Sequence, residues 1–363
     1  MKYFLSIIFI VSIVIAVSKE SVQALDIDIS PSVFTVPSNN EIMIGDIIVS
    51  EIDPNLKYWA KFKWNPDTFV FDLIQSGTGE TKKASEWVSE ADWNSAEVVT
   101  VVMEEESSSS FVFKPSLLTF TAGNPYILKI QNPGKNSSKH YFATEEFYKS
   151  IALRKAQTAD AEYKAPYLKA VELLIGGEIE IYFVAVVPGE YNFLCTIPGH
   201  AEKGMIGTIN VVGDPGAGLE LEVAGDWERD LDTDPRTSGS HAVWETKQTA
   251  TVTFEEGGTS AFAFDPAHLV AVKDQAYVLK LQNPATNASK HYWTAGHYYR
   301  TLVTRKAEDS QAEIKVPYFT AIELLIGGTT DIYHVPTKAG RYGILCTITG
   351  HAAGGMLGSV TVE

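Results

Sequence analysis

Cys195-Thr-Ile-Pro-Gly-His200-Ala-Glu-Lys-Gly-Met205 strings a thiolate, an imidazole and a thioether along one short run. The run returns as Cys346-Thr-Ile-Thr-Gly-His351-Ala-Ala-Gly-Gly-Met356. Each copy follows an aromatic and aliphatic segment, Tyr191-Asn-Phe-Leu194 or Tyr342-Gly-Ile-Leu345, and precedes a second such segment, so it reads as a loop joining two strands. Gly199, Gly204, Gly350, Gly354 and Gly355 let that loop bend sharply between its donors, and Pro198 stiffens the first copy. Such a loop can hold a metal.

Outward from the loops, the chain matches itself at an offset of 151 residues without a gap. Trp93 meets Trp244, Gln131-Asn-Pro133 meets Gln282-Asn-Pro284, Lys139-His-Tyr141 meets Lys290-His-Tyr292, and Glu172-Leu-Leu-Ile-Gly-Gly177 meets Glu323-Leu-Leu-Ile-Gly-Gly328. Two copies of one domain follow, 93–212 and 244–363. The stretch 213–243 between them is rich in Gly, Pro and Asp and reads as a linker. Within a copy, β-rich runs such as Tyr126–Ile130, Ile179–Val184 and Gly207–Val212 alternate with Gly, Pro and Asn turns, the spacing of a sandwich. One interruption, Thr144 to Gln157, places acids in a first turn, apolar residues at 147 and 151 and cations afterwards; that pattern predicts a helix crossing one side of the sandwich.

A loop with Cys, His and Met needs one more strong donor. His140 lies 55 residues before Cys195, and His291 lies 55 before Cys346. The candidate ligand sets are therefore His140, Cys195, His200 and Met205, and His291, Cys346, His351 and Met356. Two His and one Cys with a weak axial thioether form the ligand field of an electron-transfer copper site. Soft sulfur donors favour copper over calcium or magnesium, and the lack of a second Cys or a carboxylate at loop spacing disfavours structural zinc. Ligands on strands at one end of a sandwich move little when the ion changes oxidation state. A disulfide between the only two cysteines is the alternative for an exported chain. Their equivalent places in two repeats, each beside a His and a Met, are better explained by ligation.

At these residues the chain resembles the cupredoxins, the blue copper family, over both repeats. The Cys-x4-His-x4-Met loop is similar to that of rusticyanin and auracyanin, and the Asn-x7-His spacing of Asn132 to His140 and Asn283 to His291, each His followed by an aromatic, is also cupredoxin-like. The resemblance implies an all-β fold of two tandem Greek-key β-sandwiches, each with a helical insertion, and one type 1 copper per repeat near a sandwich end. It further implies electron entry through His200 and His351, and a backbone N–H to the Cys sulfur from Tyr141 and Tyr292. Two departures stand out: Thr349 replaces Pro198 in the second loop, and the predicted helix is longer than in the simplest members.

The other histidines, His241, His268, His297 and His334, face Glu90, Leu117, Glu146 and Phe183 at the repeat offset. They read as surface or satisfied residues, with an additional copper centre, from His297 or His334 in particular, as the alternative. Phe142, Tyr148, Trp293 and Tyr299 read as core or site shielding.

At 363 residues and 45% apolar content the chain can bury more than one core. Lys2, the apolar run Tyr3 to Val17 and Val22-x-Ala24 read as a secretory signal peptide, 1–24, cut after Ala24, which predicts a secreted or periplasmic protein. The alternative, an uncleaved anchor, is opposed by a run short of the ~18 to 20 residues that a span requires. Residues 25–92 alternate as strands, as in Tyr58–Trp64 and Thr68–Ile74, and contain neither His nor Cys; they form a β-rich N-terminal extension that packs on the first domain or mediates assembly. A formal charge of −16 argues against nucleic acid and anionic membranes as partners. It suits a basic or neutral redox partner, such as a cytochrome or an oxidoreductase, or simply aids solubility.

The expectation is an exported di-domain electron carrier, with homo-oligomers open. Two rivals stand beside it. A copper oxidoreductase related to nitrite reductases or multicopper oxidases is opposed by Leu194 and Thr196 beside Cys195, and Leu345 and Thr347 beside Cys346, where those families place a wiring His. Copper storage or delivery is opposed by the presence of only five Met and by enclosed loops.

Overall fold

The computed structural model describes residues 41–48, 57–65, 70–78, 81–221, 244–258 and 260–363. The signal-peptide segment 1–24, most of the 213–243 linker and His241 lie outside them. The chain divides into two compact units, one of residues 1–82 with 216–218, the other of 83–215 with 219–363. In the first, Glu41–Ile48, Lys57–Asn65 and Val70–Thr78 form an antiparallel three-stranded sheet, as the alternation in that stretch predicts. The second unit opens with the helix Ala84–Glu90, whose Trp87 is buried, and holds both repeats. Among the described residues no helix is long and apolar enough to cross a membrane.

The second unit is all-β, two sandwiches built from the same strands. In the first repeat the strands Ser110–Lys114, Glu97–Ser107, Pro125–Gln131, Glu178–Ala185, Ile151–Gln157 and Ala161–Lys164 lie side by side in one sheet. Ala170–Leu173, His140–Ala143, Gly189–Leu194, Ile206–Val212 and Leu117–Thr121 lie side by side in the other. Two pairings are parallel, Glu97–Ser107 with Pro125–Gln131 and Ile206–Val212 with Leu117–Thr121, the rest antiparallel. Alternation fixes the faces. Pro125–Gln131 buries Tyr126, Leu128 and Ile130 and turns the residues between them outward. Phe113, Phe142 and Phe193 pack edge-to-face and stacked at 4.6–5.7 Å in the core, each contributing about 1.5–3 kcal/mol by burial.

The helix expected over Thr144 to Gln157 is much shorter. Only Glu145–Lys149 is helical, and Ile151–Gln157 is a strand; the second repeat has Gly296–Tyr299 and then Leu302–Glu308. The apolar pair four apart that suggests one long helix spans a break: Phe147 lies in the short helix and Ile151 opens the strand. A β-bulge between Leu153 and Lys155 then puts the buried positions 153 and 156 three apart. Arg154 and Lys155 lie over the rings of Trp93 and Tyr182, and Arg305 and Lys306 over Trp244 and Tyr333.

The repeats meet by continuing each other's sheets. Ala161–Lys164 pairs with Ala321–Leu324, and Ala170–Leu173 pairs with Ala312–Lys315. The registers are equivalent: Ala161 faces Leu324 and Leu173 faces Ala312, Glu162 faces Glu323 and Glu172 faces Glu313. An approximate two-fold axis therefore relates the repeats. Thr158 and Asp309, equivalent positions in the two copies, meet at it, Thr158 Oγ1 donating to Asp309 Oδ2 at 2.6 Å. Tyr163 Oη donates to the same oxygen at 2.8 Å, and the Gln311 and Ala312 N–H groups donate to Oδ1. Burial pushes the Asp309 carboxyl above its ordinary range in spite of these donors.

The repeated Ile-Gly-Gly has its reason here. A Cβ on Gly177 would lie 2.1 Å from the Gln311 carbonyl oxygen, and one on Gly328 would lie 2.0 Å from that of Asp160. Leu174 N–H and Leu325 N–H donate to those same carbonyls, each at 2.9 Å. Opposed glutamates would repel, and lysines offset them. Lys306 bonds Glu313 and Lys139 bonds Glu172; Lys155 bonds Glu162 and Lys290 bonds Glu323. Burial raises the carboxyls of Glu172 and Glu323, whereas Lys306 and Lys155 hold Glu313 and Glu162 low against burial.

Candidate metal centres

His140 opens a strand beside Leu173, and Cys195 directly follows the strand Gly189–Leu194, so both emerge at one end of the first sandwich. The loop then folds back on itself. Cys195 N–H donates to the Met205 carbonyl, Met205 N–H to the His200 carbonyl and His200 N–H to the Ile197 carbonyl, and the second loop repeats all three bonds at 346, 356, 351 and 348. Gly199, Gly204, Gly350 and Gly355 take positive φ; Gly354 does not. The turns therefore rest on two glycines in each loop.

Three donors converge in each repeat. His140 Nδ1 lies 3.1 Å from His200 Nδ1, which lies 3.4 Å from Cys195 Sγ. In the second, His291 Nδ1 is 3.0 Å from His351 Nδ1, itself 3.5 Å from Cys346 Sγ. Donor atoms in each group lie within 4.8 Å of one another, and these are the only such groups among the described residues. Imidazole and thiolate bonds to a first-row ion of about 2.0–2.3 Å put neighbouring donors just over 3 Å apart, so the donors present fit a small cation. His140 and His291 are wholly buried, while His200 and His351 keep 8% and 7% exposure, making the loop imidazoles the sites' contact with the surface. Met205 and Met356 are wholly buried at the loop ends. Both cysteines are free thiols, so there is no disulfide.

The environment favours the metal-ready form of the buried histidines. Burial and the neighbouring His200 push His140 below its ordinary value, and burial with His351 does the same to His291, so both are neutral donors. Burial lifts the Cys195 and Cys346 thiols, against N–H donors from Ile197 and Tyr141 or from Ile348 and Tyr292. Tyr141 N–H donates to Cys195 Sγ and Tyr292 N–H to Cys346 Sγ, each at 3.4 Å. A bound cation would draw the thiolate out.

Glu105 and Glu256 went unnoticed in the sequence. Glu105 Oε1 accepts from His140 Nε2 at 3.1 Å and Glu256 Oε1 from His291 Nε2 at 2.9 Å, which fixes the tautomer and leaves Nδ1 free toward the other donors. Burial would raise Glu105, but Ser137 and Ser138 donate to it and hold its carboxyl down to about 2. The signal was available: Glu105 and Glu256 stand at the repeat offset. Asn132 and Asn283 each donate to three carbonyls around the histidine, closing the loop that carries it.

The two centres differ in one wall. Phe111 meets His200 edge-on at 4.6 Å with Lys203 over its ring, whereas Phe262 stacks flat on His351 at 4.0 Å. Gly354 occupies the place of Lys203, and a Cβ there would lie 2.7 Å from Phe262 Cδ2, so the missing side chain makes room for the stack. The remaining described histidines bring no third centre together. His334 donates through Nδ1 to the Ile332 carbonyl and accepts the Tyr298 hydroxyl, and His268 Nδ1 bonds Ser359. Phe142, Tyr148, Trp293 and Tyr299 are core residues.

Residues 99–212 match the copper binding proteins of the plastocyanin/azurin family. Over 113 residues the chain is 29% identical to the copper-resistant cuproprotein CopI of Rubrivivax gelatinosus, covering 31% of this chain and 65% of that protein. Structural likenesses include a copper-containing nitrite reductase from Thermus scotoductus SA-01, at 13% identity and a TM-score of 0.26 over 74% of this chain and 62% of that one. They also include auracyanin B, at 18% and 0.23 over 32% and 89%, and the multicopper oxidase mgLAC, at 12% and 0.27 over 74% and 87%. The match to the copper-binding plastocyanin/azurin family thus falls on the first repeat, and the second repeat sets the same His, Cys and His donors together in equivalent strands.

Proposed function

We propose that the protein is an exported electron carrier with one type 1 copper per repeat, held by His140, Cys195, His200 and Met205 and by His291, Cys346, His351 and Met356. The observation that carries this reading is the convergence, twice, of two imidazole nitrogens and a thiol sulfur within 4.8 Å of one another at a buried sandwich end. Bound copper would supply one-electron chemistry. The protein's part is to hold the donors still. Backbone bonds close each loop, Glu105 and Glu256 fix the histidine tautomers, and the aromatic cores exclude water. His200 and His351, reaching the surface, are the points at which a redox partner such as a cytochrome or an oxidoreductase would exchange electrons.

The test is reconstitution with copper. Two coppers per chain and an intense sulfur-to-copper absorption in the visible are expected, with Cys195→Ser and Cys346→Ser each removing one ion. Absence of that absorption would end the reading. Turnover of oxygen or nitrite, or a type 2 copper signal in paramagnetic resonance, would favour an enzyme instead. The likeness to a copper-resistant cuproprotein favours one second reading, copper holding in tolerance. Fast surrender of both ions to a chelator would support it over electron transfer.

A further inference from the structure

Each donor set comes from one repeat, yet the tyrosine following its buried histidine is held by the other. Lys315 Nζ, in the second repeat, donates to Tyr141 Oη at 2.9 Å and lies 4.7 Å from that ring's centre. Lys164 Nζ, in the first, donates to Tyr292 Oη at 2.8 Å and lies 4.6 Å from its ring. The sheets explain the crossing: Lys315 lies in the sheet that carries His140, and Lys164 in the sheet that carries His291. Lys139, just before His140, also reaches across, 3.7 Å from Glu313. Each tyrosine is thus tied at both ends, its backbone N–H at the cysteine sulfur and its phenol at the other repeat's ammonium. Hydrogen bonding at a copper-binding sulfur tunes the centre's potential and its charge-transfer absorption.

We propose that Lys164 and Lys315 are positioning residues acting in trans between the repeats: Lys315 sets the Tyr141 N–H to Cys195 contact, and Lys164 the Tyr292 N–H to Cys346 contact. Each repeat therefore tunes the other's cysteine. The spectroscopic half of the test rests on the copper reading above; the other half does not, because the hydrogen bond belongs to the metal-free chain.

The experiment uses full-length Lys164→Met and Lys315→Met. Copper-loaded proteins are read in a Cys195→Ser background, which leaves the second centre, and in a Cys346→Ser background, which leaves the first. Lys164→Met is expected to shift the visible band and reduction potential of the second centre and leave the first unmoved, and Lys315→Met the reverse. Arginine at either position, which keeps the charge and a donor, should abolish most of the shift. In metal-free protein, Lys164→Met should speed amide exchange at Tyr292 about tenfold and spare Tyr141, the order expected for freeing one hydrogen-bonded amide. Tyr292→Phe, which removes the acceptor and keeps the lysine, should reproduce Lys164→Met and serves if the lysine variant does not fold. Shifts confined to the lysine's own repeat, equal at both centres or absent at both would overturn the proposal. Loss of visible absorption in the unsubstituted protein would sink the copper reading alone, with amide exchange still deciding this one.

Discussion

Single residues decide how each centre is held. Glu105 anchors His140 through a bond that leaves Nδ1 free, and such supporting bonds are worth about 10–100-fold in metal affinity. Glu105→Ala should weaken copper at the first centre by about that factor and leave the second unchanged, as competition against a chelator would read in the Cys346→Ser and Cys195→Ser backgrounds respectively. The second centre offers a different residue-scale test. Gly354→Ala pushes a methyl toward Phe262 and should disturb its stack on His351. The expected result is a shifted visible spectrum at the second centre alone. The ligand residues were legible because their chemistry demands particular side chains at fixed spacing, repeated. Glu105 was only half legible: its match to Glu256 at the repeat offset can be read, but among 45 acidic residues that match does not say it faces an imidazole until the fold brings the strand Glu97–Ser107 beside His140.

At the scale of elements, the alternating strands could be read directly, whereas Ile151–Gln157 could not, because Phe147 in a short helix and Ile151 at the head of the strand fall four apart like one helix face. The strands that join the repeats were hidden for another reason. Glu162 and Glu313 look like ordinary exposed charges in sequence, and only long-range register shows each facing another glutamate in a nearly buried seam. The Ile-Gly-Gly identity was visible without its cause, which is a carbonyl of the other repeat. Gly177→Ala must displace that backbone, and overpacking of this kind costs about 1–3 kcal/mol or more. Urea unfolding should show the loss, and Gly328→Ala should match it; Gly199→Ala, where a Cβ meets nothing within 4 Å, should cost only its backbone strain.

For the whole molecule, the buried Asp309 at the approximate two-fold axis joins the repeats. Its folded carboxyl is raised above the ordinary 3.8, so the unfolded chain gives up that proton first as pH rises. The stability it contributes is complete below the unfolded value and declines as pH climbs through the higher folded value. Asp309→Asn has no such proton. The stability of the metal-free unsubstituted protein should therefore fall relative to Asp309→Asn between pH 4 and pH 7, measured by denaturant unfolding at each pH. At either pH, Asp309→Ala should cost about 2–4 kcal/mol, because Thr158, Tyr163 and two backbone N–H groups lose their acceptor.

The seam pairs equivalent registers in opposite directions, the self-complementary logic of a two-fold homodimer. In such a dimer every mutation is made twice, so both centres must stay alike. Joining the halves in one chain lifts that constraint while keeping them at fixed stoichiometry, immune to dilution and to subunit exchange. Pro198 against Thr349 and Lys203 against Gly354 are differences that only this arrangement permits. The molecule can thus present two unlike centres in every copy, on one inherited interface.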